Sequence, residues 1–514
     1  MPGSVTTVEV TGDPLNISDV VAVARGGARA ELGPEVAERM APARAVVERA
    51  LASNAVVYGI TTGFGALAST RVSASQAADL QVNLLRSHAA GVGAPVPDEL
   101  VRAMLLLRAR TLSQGHSGVR SEIPAALLDL LNRDVLPIVP SQGSVGASGD
   151  LAQFAHLALP LIGEGSVRVG GEVISSADAV AAKTLKPIKL EAKEGLSLLN
   201  GTEGMLAMAC LAIDDAHRLV RAADAACAMS VEALTGSSRP FLPQIHRVRP
   251  HPGQALSAAR IAGLIESSEI DASHHEDFVH AVQDAYSLRC APQVHGAVLD
   301  TIEYATLVAE RELGSVVDNP IVFAADDEVL SGGNFHGEPL AFILDFLAIA
   351  VAELGSISER RVDRMLDPER SNGLPPFLAE SPGLNSGYMM AQYTAAALVA
   401  ENRVMAHPAS VDSIPTSGSQ EDHVSMGWGA GKKLGQIITN VSTVIAIEML
   451  IATQGLGFRL PLRPGPGVAS LAELIRSHVP PLTADRMIGD EMEAVANLIR
   501  TGEVDAVLEG FSKH

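Results

Sequence analysis

Aromatic side chains are scarce. One Trp, five Tyr and eleven Phe make up 3% of the 514 residues. The core must therefore be built from Ala, Val, Leu, Ile and Met, a composition that favours helices approaching one another closely. Cysteine is scarcer still. Cys210, Cys227 and Cys290 are odd in number, far apart and contain no CxxC. Neither a disulfide framework nor a cysteine zinc site is expected, and a reducing cytoplasm suits the chain best. Positive charge is short as well: Asp and Glu number 59 against 38 Lys and Arg, a net charge of −21. With no dense basic stretch, neither nucleic acid nor an anionic membrane is an expected partner. Long uninterrupted apolar runs are also missing. Residues 340–354 are broken by Asp345 and Glu353, and residues 437–453 by Asn440, Thr443 and Glu448. Both read as buried helices with a polar seam rather than as membrane spans. Residues 1–14 have no basic n-region and no apolar h-region, so no signal peptide is expected. His274-His275-Glu276-Asp277 lacks HExxH spacing, and adjacent His side chains rarely meet on one ion, so no metal site is expected.

What is present points to a large helical protein. Apolar residues at 47% and charged residues at 19% exclude global disorder, and the length allows about three structural units. Helical periodicity dominates, with long segments near 204–235, 283–314, 339–366, 386–407 and 430–455. Ser18 is placed to cap a first short helix, and Gly33-Pro34 to end one element and open the next. Strand signals are confined to 6–10, a hairpin over 166–174 around Gly170-Gly171, and a pairing of Ile321–Phe323 with Glu328–Leu330. The expected fold class is mainly α, a long-helix bundle with few short strands. The expected divisions are an N-terminal mostly helical region (1–196), a central long-helix bundle (197–456) and a C-terminal helical segment (457–514).

The most unusual stretch is Gly143-Ser-Val-Gly-Ala-Ser-Gly-Asp150. It allows three readings. One is a plain turn in which Asp150 caps the following helix. A second is a hydrolase nucleophile elbow, G-x-S-x-G. It fails because Asp150 stands at the last Gly position and because Pro137 and Pro140 disfavour the strand that should precede it. The third is self-modification. Attack of the Gly149 nitrogen on the Ala147 carbonyl closes a five-membered ring, and loss of water from Ser148 leaves an exocyclic methylene. Gly149 lacks the Cβ that would obstruct closure, Ala147 is small, and Ser148 carries the hydroxyl that must leave. The resulting electrophile suits elimination of ammonia from an α-amino acid, aided by a base for the β-proton and an Arg for the carboxylate.

This stretch resembles the signature of the aromatic amino acid ammonia-lyases, which carry a methylidene-imidazolone (MIO) group. Further segments carry the resemblance in order along the chain: Tyr58-Gly-Ile-Thr-Thr-Gly-Phe-Gly65, residues 83–93 (NLLRSHAAGVG), Leu199-Asn-Gly-Thr202, Gln283-Asp-Ala-Tyr-Ser-Leu-Arg289, Gly333-Asn-Phe-His336 and Gln420-Glu-Asp-His-Val-Ser-Met426. The resemblance implies the bundle of the fumarase/aspartase-like superfamily, an MIO formed autocatalytically from Ala147, Ser148 and Gly149 with no external cofactor, and a homotetramer whose sites combine loops of several subunits. It implies that Tyr58 takes the β-proton and that Arg289 holds the carboxylate. Tyr286 and Gln283 would stand beside the MIO and the amino group. Asn200 would act as an amide donor, and Phe335 would line the pocket; His336 reads as structural. If helical, Gln283, Tyr286 and Arg289 would share one face.

Ser87-His88 and Glu421 match the pattern of histidine-specific members, with His88 and Glu421 on the imidazole. L-Histidine going to trans-urocanate and ammonia is therefore the implied reaction. The alternatives are a phenylalanine or tyrosine lyase, an MIO aminomutase, a helical scaffold with unmodified Ser148, and a serine hydrolase. The chain departs from the usual family pattern at Thr61, Gln153 and Gly418-Ser419.

Overall fold

The computed structural model describes residues 6–53, 56–63, 70–147, 149–274 and 283–511. The fold is mainly helical. The long helices are Glu203–Ala233, Ala291–Gly314, Glu338–Leu366, Met389–Met405 and Gly427–Gly457. The strands are short. Thr7–Val10 pairs in parallel with Arg29–Leu32. The hairpin of Ser166–Val169 and Glu172–Ser175 forms as expected and gains Leu136–Pro137 at its edge. Ile321–Phe323 and Glu328–Leu330 pair antiparallel.

Two local expectations need correction. The first helix, Ile17–Ala24, is capped by Asn16 rather than Ser18. Asn16 accepts from the Asp19 amide while Asp19 reaches back to the Asn16 amide, a reciprocal capping box that satisfies two orphan donors. The segment expected to be one helix over 283–314 is two: the single turn Tyr286–Arg289, then Ala291–Gly314. Pro292 is the reason. It has no amide hydrogen to continue the ladder from the preceding turn, and it fits in the first turn of the second helix, where that hydrogen is not needed.

The chain divides into two compact units. One comprises Met1–Leu211, Thr306–Leu344 and Pro408–Lys432; the other comprises Ala212–Ala305, Asp345–His407 and Lys433–His514. In the first, Asp98–Ser113 is buried along most of its length, including Arg108, which is fully enclosed. Its guanidinium pairs with Glu203 at 2.5 Å and donates to the Ser197 carbonyl. In the second, Arg361 and Glu448 form a buried bidentate pair, and Ser230 and Ser358 each donate to the Glu448 carboxylate at 2.6 Å. The last carbonyls of Glu203–Ala233 also end in this unit. Arg459 donates to Ala233 and Asn372 to Leu234, placing a cation at the negative end of the helix dipole.

The two apolar stretches lie in Glu338–Leu366 and Gly427–Gly457, and 67% and 72% of their most apolar windows are buried. Their polar residues have specific partners. Asp345 receives Lys433, and Asn440 donates to Asn402 and Glu401. All three cysteines are free. Burial pushes the Cys210 and Cys227 thiols up to about 12, so both remain protonated and unreactive at neutral pH.

Candidate active site

The Gly-Ser loop lies in the first unit and is fastened on several sides. Three glycines take conformations closed to other residues: Gly143 (φ 140°), Gly146 (φ 75°) and Gly149 (φ 80°). Gly149 bridges Gly201, and the next amide, Asp150 N, donates to the Gly201 carbonyl at 2.9 Å. A Cβ on Gly149 would stand 1.9 Å from that carbonyl oxygen. The Ser144 hydroxyl lies 3.2 Å from the Asp150 carboxylate and 3.4 Å from the Gly149 carbonyl, and accepts from the Gly146 amide. Met426 N donates to Val145 O, and the buried Trp428 indole donates to Ser141 O at 2.9 Å. Ala147 is half-buried; Ser148 lies outside the described residues. A loop held this way is not a plain turn.

Asp150 occupies the N-cap position of Leu151–Ala158 but makes no side-chain cap bond there. Its carboxylate instead accepts from Met205 N at 2.9 Å and from Gly204 N, at the start of Glu203–Ala233. It satisfies orphan donors of that helix and lies at its positive end. Burial pushes its pKa up to about 7, against the lowering effect of these bonds and of Ser144. The native state therefore holds the Asp150 proton to a higher pH than the unfolded chain does, and this contribution to stability falls as pH rises from about 4 to 7. The stability advantage of wild type over Asp150→Asn is accordingly expected to shrink from pH 5 to pH 8 in thermal unfolding. A constant offset would show that Asp150 does not titrate in that window.

Asn200 follows the short helix Glu194–Leu199 and is buried beside the loop. Its amide nitrogen donates to the Asn319 carbonyl at 3.0 Å and lies 3.4 Å from Asp318 Oδ1. Both partners are acceptors, which fixes which end of the amide is which. The Asn200 carbonyl oxygen is buried with no partner among the described residues. With the nitrogen engaged, the atom of this amide left without a partner among the described residues is the oxygen. Asp318 is held by Lys193 at 3.0 Å and by the Ser197 hydroxyl at 3.0 Å, all fully buried. Burial acts to raise the Asp318 pKa, but the Lys193 and Arg108 charges outweigh it and keep the carboxyl below its usual value.

His88 ends the helix Ala77–His88, half-buried, with Nδ1 3.0 Å from the Leu84 carbonyl. Ser87 Oγ donates to the same carbonyl at 3.1 Å and also lies 3.1 Å from Nδ1; because a carbonyl can only accept, the Nδ1–H tautomer fits this contact, and it is the one that leaves Nε2 as an acceptor. Burial lowers the His88 pKa, opposed by the Leu84 bond and by the Glu421 charge. Glu421 is half-buried and accepts from the Thr416 hydroxyl at 2.8 Å. Phe335 is half-buried. The neighbouring His336 stacks on His423 at 5.9 Å and bonds its carbonyl, which agrees with a structural part for His336. Tyr58 is half-buried in a turn closed by Thr61, whose hydroxyl accepts from the Val57 amide at 2.9 Å. Thr61 thus keeps a side-chain acceptor for this turn.

Tyr286 and Arg289 belong to the second unit. Their single helical turn brings them together: the guanidinium lies 4.6 Å from the phenol ring centroid, a cation–π contact. Arg289 Nε donates to Asp284 O at 2.9 Å, and Asp284 in turn accepts from Ser237 N. Arg361 donates to the Ser287 carbonyl at 3.1 Å, tying this turn to the buried Arg361–Glu448 pair. Tyr286 is 71% exposed. Gln283 lies on an exposed bend before the helix, so the expectation that all three share one helical face is corrected: only Tyr286 and Arg289 do.

Sequence reasoning passed over Lys193, Asp318, Ser144 and Thr416. Each works through a partner distant in sequence or through a turn whose shape residue types do not reveal. Gly149→Ala tests the loop packing directly. The added Cβ meets backbone in a left-handed conformation, so a loss of about 1–3 kcal/mol is expected. The peptide containing residues 147–149 should also keep its unmodified mass. Native stability with a modified peptide would contradict the packing described.

The model of the aromatic amino acid lyase family matches residues 15–477. A histidine ammonia-lyase of Gloeobacter violaceus is 54% identical over 498 residues, covering 97% of this chain and 96% of that protein. The crystal structure of histidine ammonia-lyase from Trypanosoma cruzi superposes with a TM-score of 0.91 at 42% identity, covering 99% of this chain and 96% of the other. A tyrosine aminomutase from Streptomyces globisporus superposes with a TM-score of 0.93 at 36% identity, covering 99% of both chains. Backbone shape is thus shared by lyases and aminomutases, and identity is higher toward the histidine ammonia-lyases than toward the aminomutases.

Proposed function

This chain belongs to the aromatic amino acid lyase family, and we propose that it is a carbon–nitrogen lyase converting L-histidine to trans-urocanate and ammonia, the first step of histidine degradation. Similarity to histidine ammonia-lyases over nearly the whole chain supports the reaction. Within the chain, the observation that carries it is the seating of Gly149 against Gly201 beside the free carbonyl oxygen of Asn200. A side-chain-free, left-handed Gly149 after a small Ala147 fits formation of the MIO from Ala147, Ser148 and Gly149. The cradle leaves no room for a Cβ; the ring carries no donor, so the orphaned Asn200 oxygen is left to accept from the substrate's ammonium. Once formed, the group supplies an electrophilic carbon that makes the amine easier to lose.

The remaining chemistry falls to the chain's own side chains. Arg289 forks onto the substrate carboxylate. Tyr58 takes the β-proton. Tyr286 and Gln283 stand beside the amino group, and Asn200 accepts a hydrogen bond there. His88 offers Nε2 and Glu421 a carboxylate oxygen to the imidazole, so the ring is recognised through its N–H edge. Phe335 lines the apolar side. The active form is a cytoplasmic homotetramer with sites shared between subunits, a reading that the exposure of Tyr286 in one chain supports; no external cofactor is needed.

A side-by-side ultraviolet assay of the purified protein with L-histidine, L-phenylalanine and L-tyrosine tests this. Urocanate from histidine alone is the expected result. Cinnamate or coumarate would overturn the parts given to His88 and Glu421, and a β-amino acid product would favour an aminomutase.

A further inference from the structure

Glu421 follows an unusual turn. Ser417, Gly418 and Ser419 all have left-handed backbones, with φ of 51°, 63° and 66°. Only the middle residue is one that adopts this region freely, so the turn carries strain that something must hold. What holds it is a clasp across its base. Thr416 N donates to Glu421 O at 2.9 Å and Glu421 N donates back to Thr416 O at 3.3 Å. The same two residues are joined a third time, through the side chains: the Thr416 hydroxyl donates to Glu421 Oε2 at 2.8 Å. Downstream, Val424 N donates to Ser413 Oγ, and Met426 N donates to Val145 O in the Gly-Ser loop. The backbone of Glu421 is therefore anchored on both sides. Its side chain, a flexible carboxylate only half-buried, is aimed by Thr416.

We propose that Thr416 is a positioning residue for substrate selection: its hydroxyl holds one oxygen of Glu421 so that the other is presented to the substrate imidazole. The inference rests on the reading of Glu421 as the imidazole partner. A carboxylate free to rotate must be ordered each time substrate binds, and that ordering weakens binding. A hydroxyl donating to a charged acceptor is among the stronger hydrogen bonds, and it performs the ordering in advance. Thr416 touches no reacting atom, so its effect belongs to recognition of the ring rather than to the chemical step.

The test uses the full-length enzyme and four variants: Thr416→Val, Thr416→Ser, Glu421→Ala and the Thr416→Val/Glu421→Ala double variant. Thr416→Val keeps the shape and removes the donor; Thr416→Ser keeps the donor. Thr416→Val is expected to raise KM for L-histidine by roughly 5- to 30-fold with kcat within about 3-fold of wild type, the pattern of lost uniform binding. Thr416→Ser should restore KM to within about 2-fold. In a Glu421→Ala background, Thr416→Val should add nothing, because its partner is gone. The peptide containing Ser148 must have the wild-type mass in every variant, which separates misaiming of Glu421 from a damaged loop. The proposal is overturned by an unchanged KM in Thr416→Val, by a Thr416→Ser variant as impaired as Thr416→Val, or by additive losses in the double variant. If wild type itself forms no urocanate from L-histidine, the reading of Glu421 fails and the proposal falls with it.

Discussion

Replacing Ser148 with Ala should abolish turnover of L-histidine, by at least about 10³-fold, while leaving the helical fold intact. The expectation follows from chemistry before structure. Ammonia is a poor leaving group and the β-hydrogen of an amino acid is weakly acidic, so elimination needs an electrophile. Among the twenty side chains none is an electrophile. Only a residue with a leaving group on its β-carbon, followed by one whose backbone can fold back, allows the chain to make one. Ser148 before Gly149 meets both conditions. The loop is held by Ser144, Trp428 and the backbone of Met426, so the alanine variant should melt within a few degrees of wild type. Circular dichroism with a coupled assay for urocanate reads both quantities. An active Ser148→Ala variant would remove the self-made electrophile from the account.

Replacing Lys193 with Met should lower both stability and turnover, by a different route. Lys193 and Asp318 are both fully buried and 3.0 Å apart. Removing only the cation strands a carboxylate in the interior, and losses of about 3–5 kcal/mol are typical of that situation. Asp318 must then take up a proton, and its oxygens also serve the Asn200 amide and the Asn319 backbone. A fall in kcat of roughly 10- to 100-fold is expected beyond the stability loss, because Asn200 loses the fixed orientation that leaves its oxygen free. Adding Asp318→Asn to Lys193→Met removes the stranded charge and should recover part of the stability. Urea unfolding of the two variants against wild type measures this. Equal stability of the single and double variants would show that the pair is not coupled.

The helical class and most of the long helices were legible in the sequence because their signal is local: apolar periodicity and abundant alanine. The short hairpins were legible because Gly170-Gly171 and Asp326-Asp327 mark turns within a few residues of both strands. Where a single residue decides geometry the reading was weaker. Pro292 splits a helix that periodicity alone would continue, and Asn16 outcompetes Ser18 because it closes a reciprocal box with Asp19. The parallel pairing of Thr7–Val10 with Arg29–Leu32 depends on a partner beyond the local window.

Candidate site residues stood out by type and order along the chain, since a phenol, amides and a guanidinium in polar motifs have few structural uses. Their supporting partners did not stand out. Lys193 and Asp318 are 125 residues apart in sequence, and each looks like an ordinary surface charge until burial pairs them. The direction of the Asn200 amide was illegible for the same reason. Only the acceptors at Asp318 and Asn319 decide that its oxygen, not its nitrogen, is left over.

The central claim is that this chain builds its own electrophile, and peptide mass spectrometry of the wild-type protein tests it most directly. A proteolytic fragment containing residues 143–150 should be lighter than its sequence by two waters, one lost in closing the ring and one in dehydrating Ser148. A fragment of full mass, from protein that still converts L-histidine to urocanate, would contradict the account.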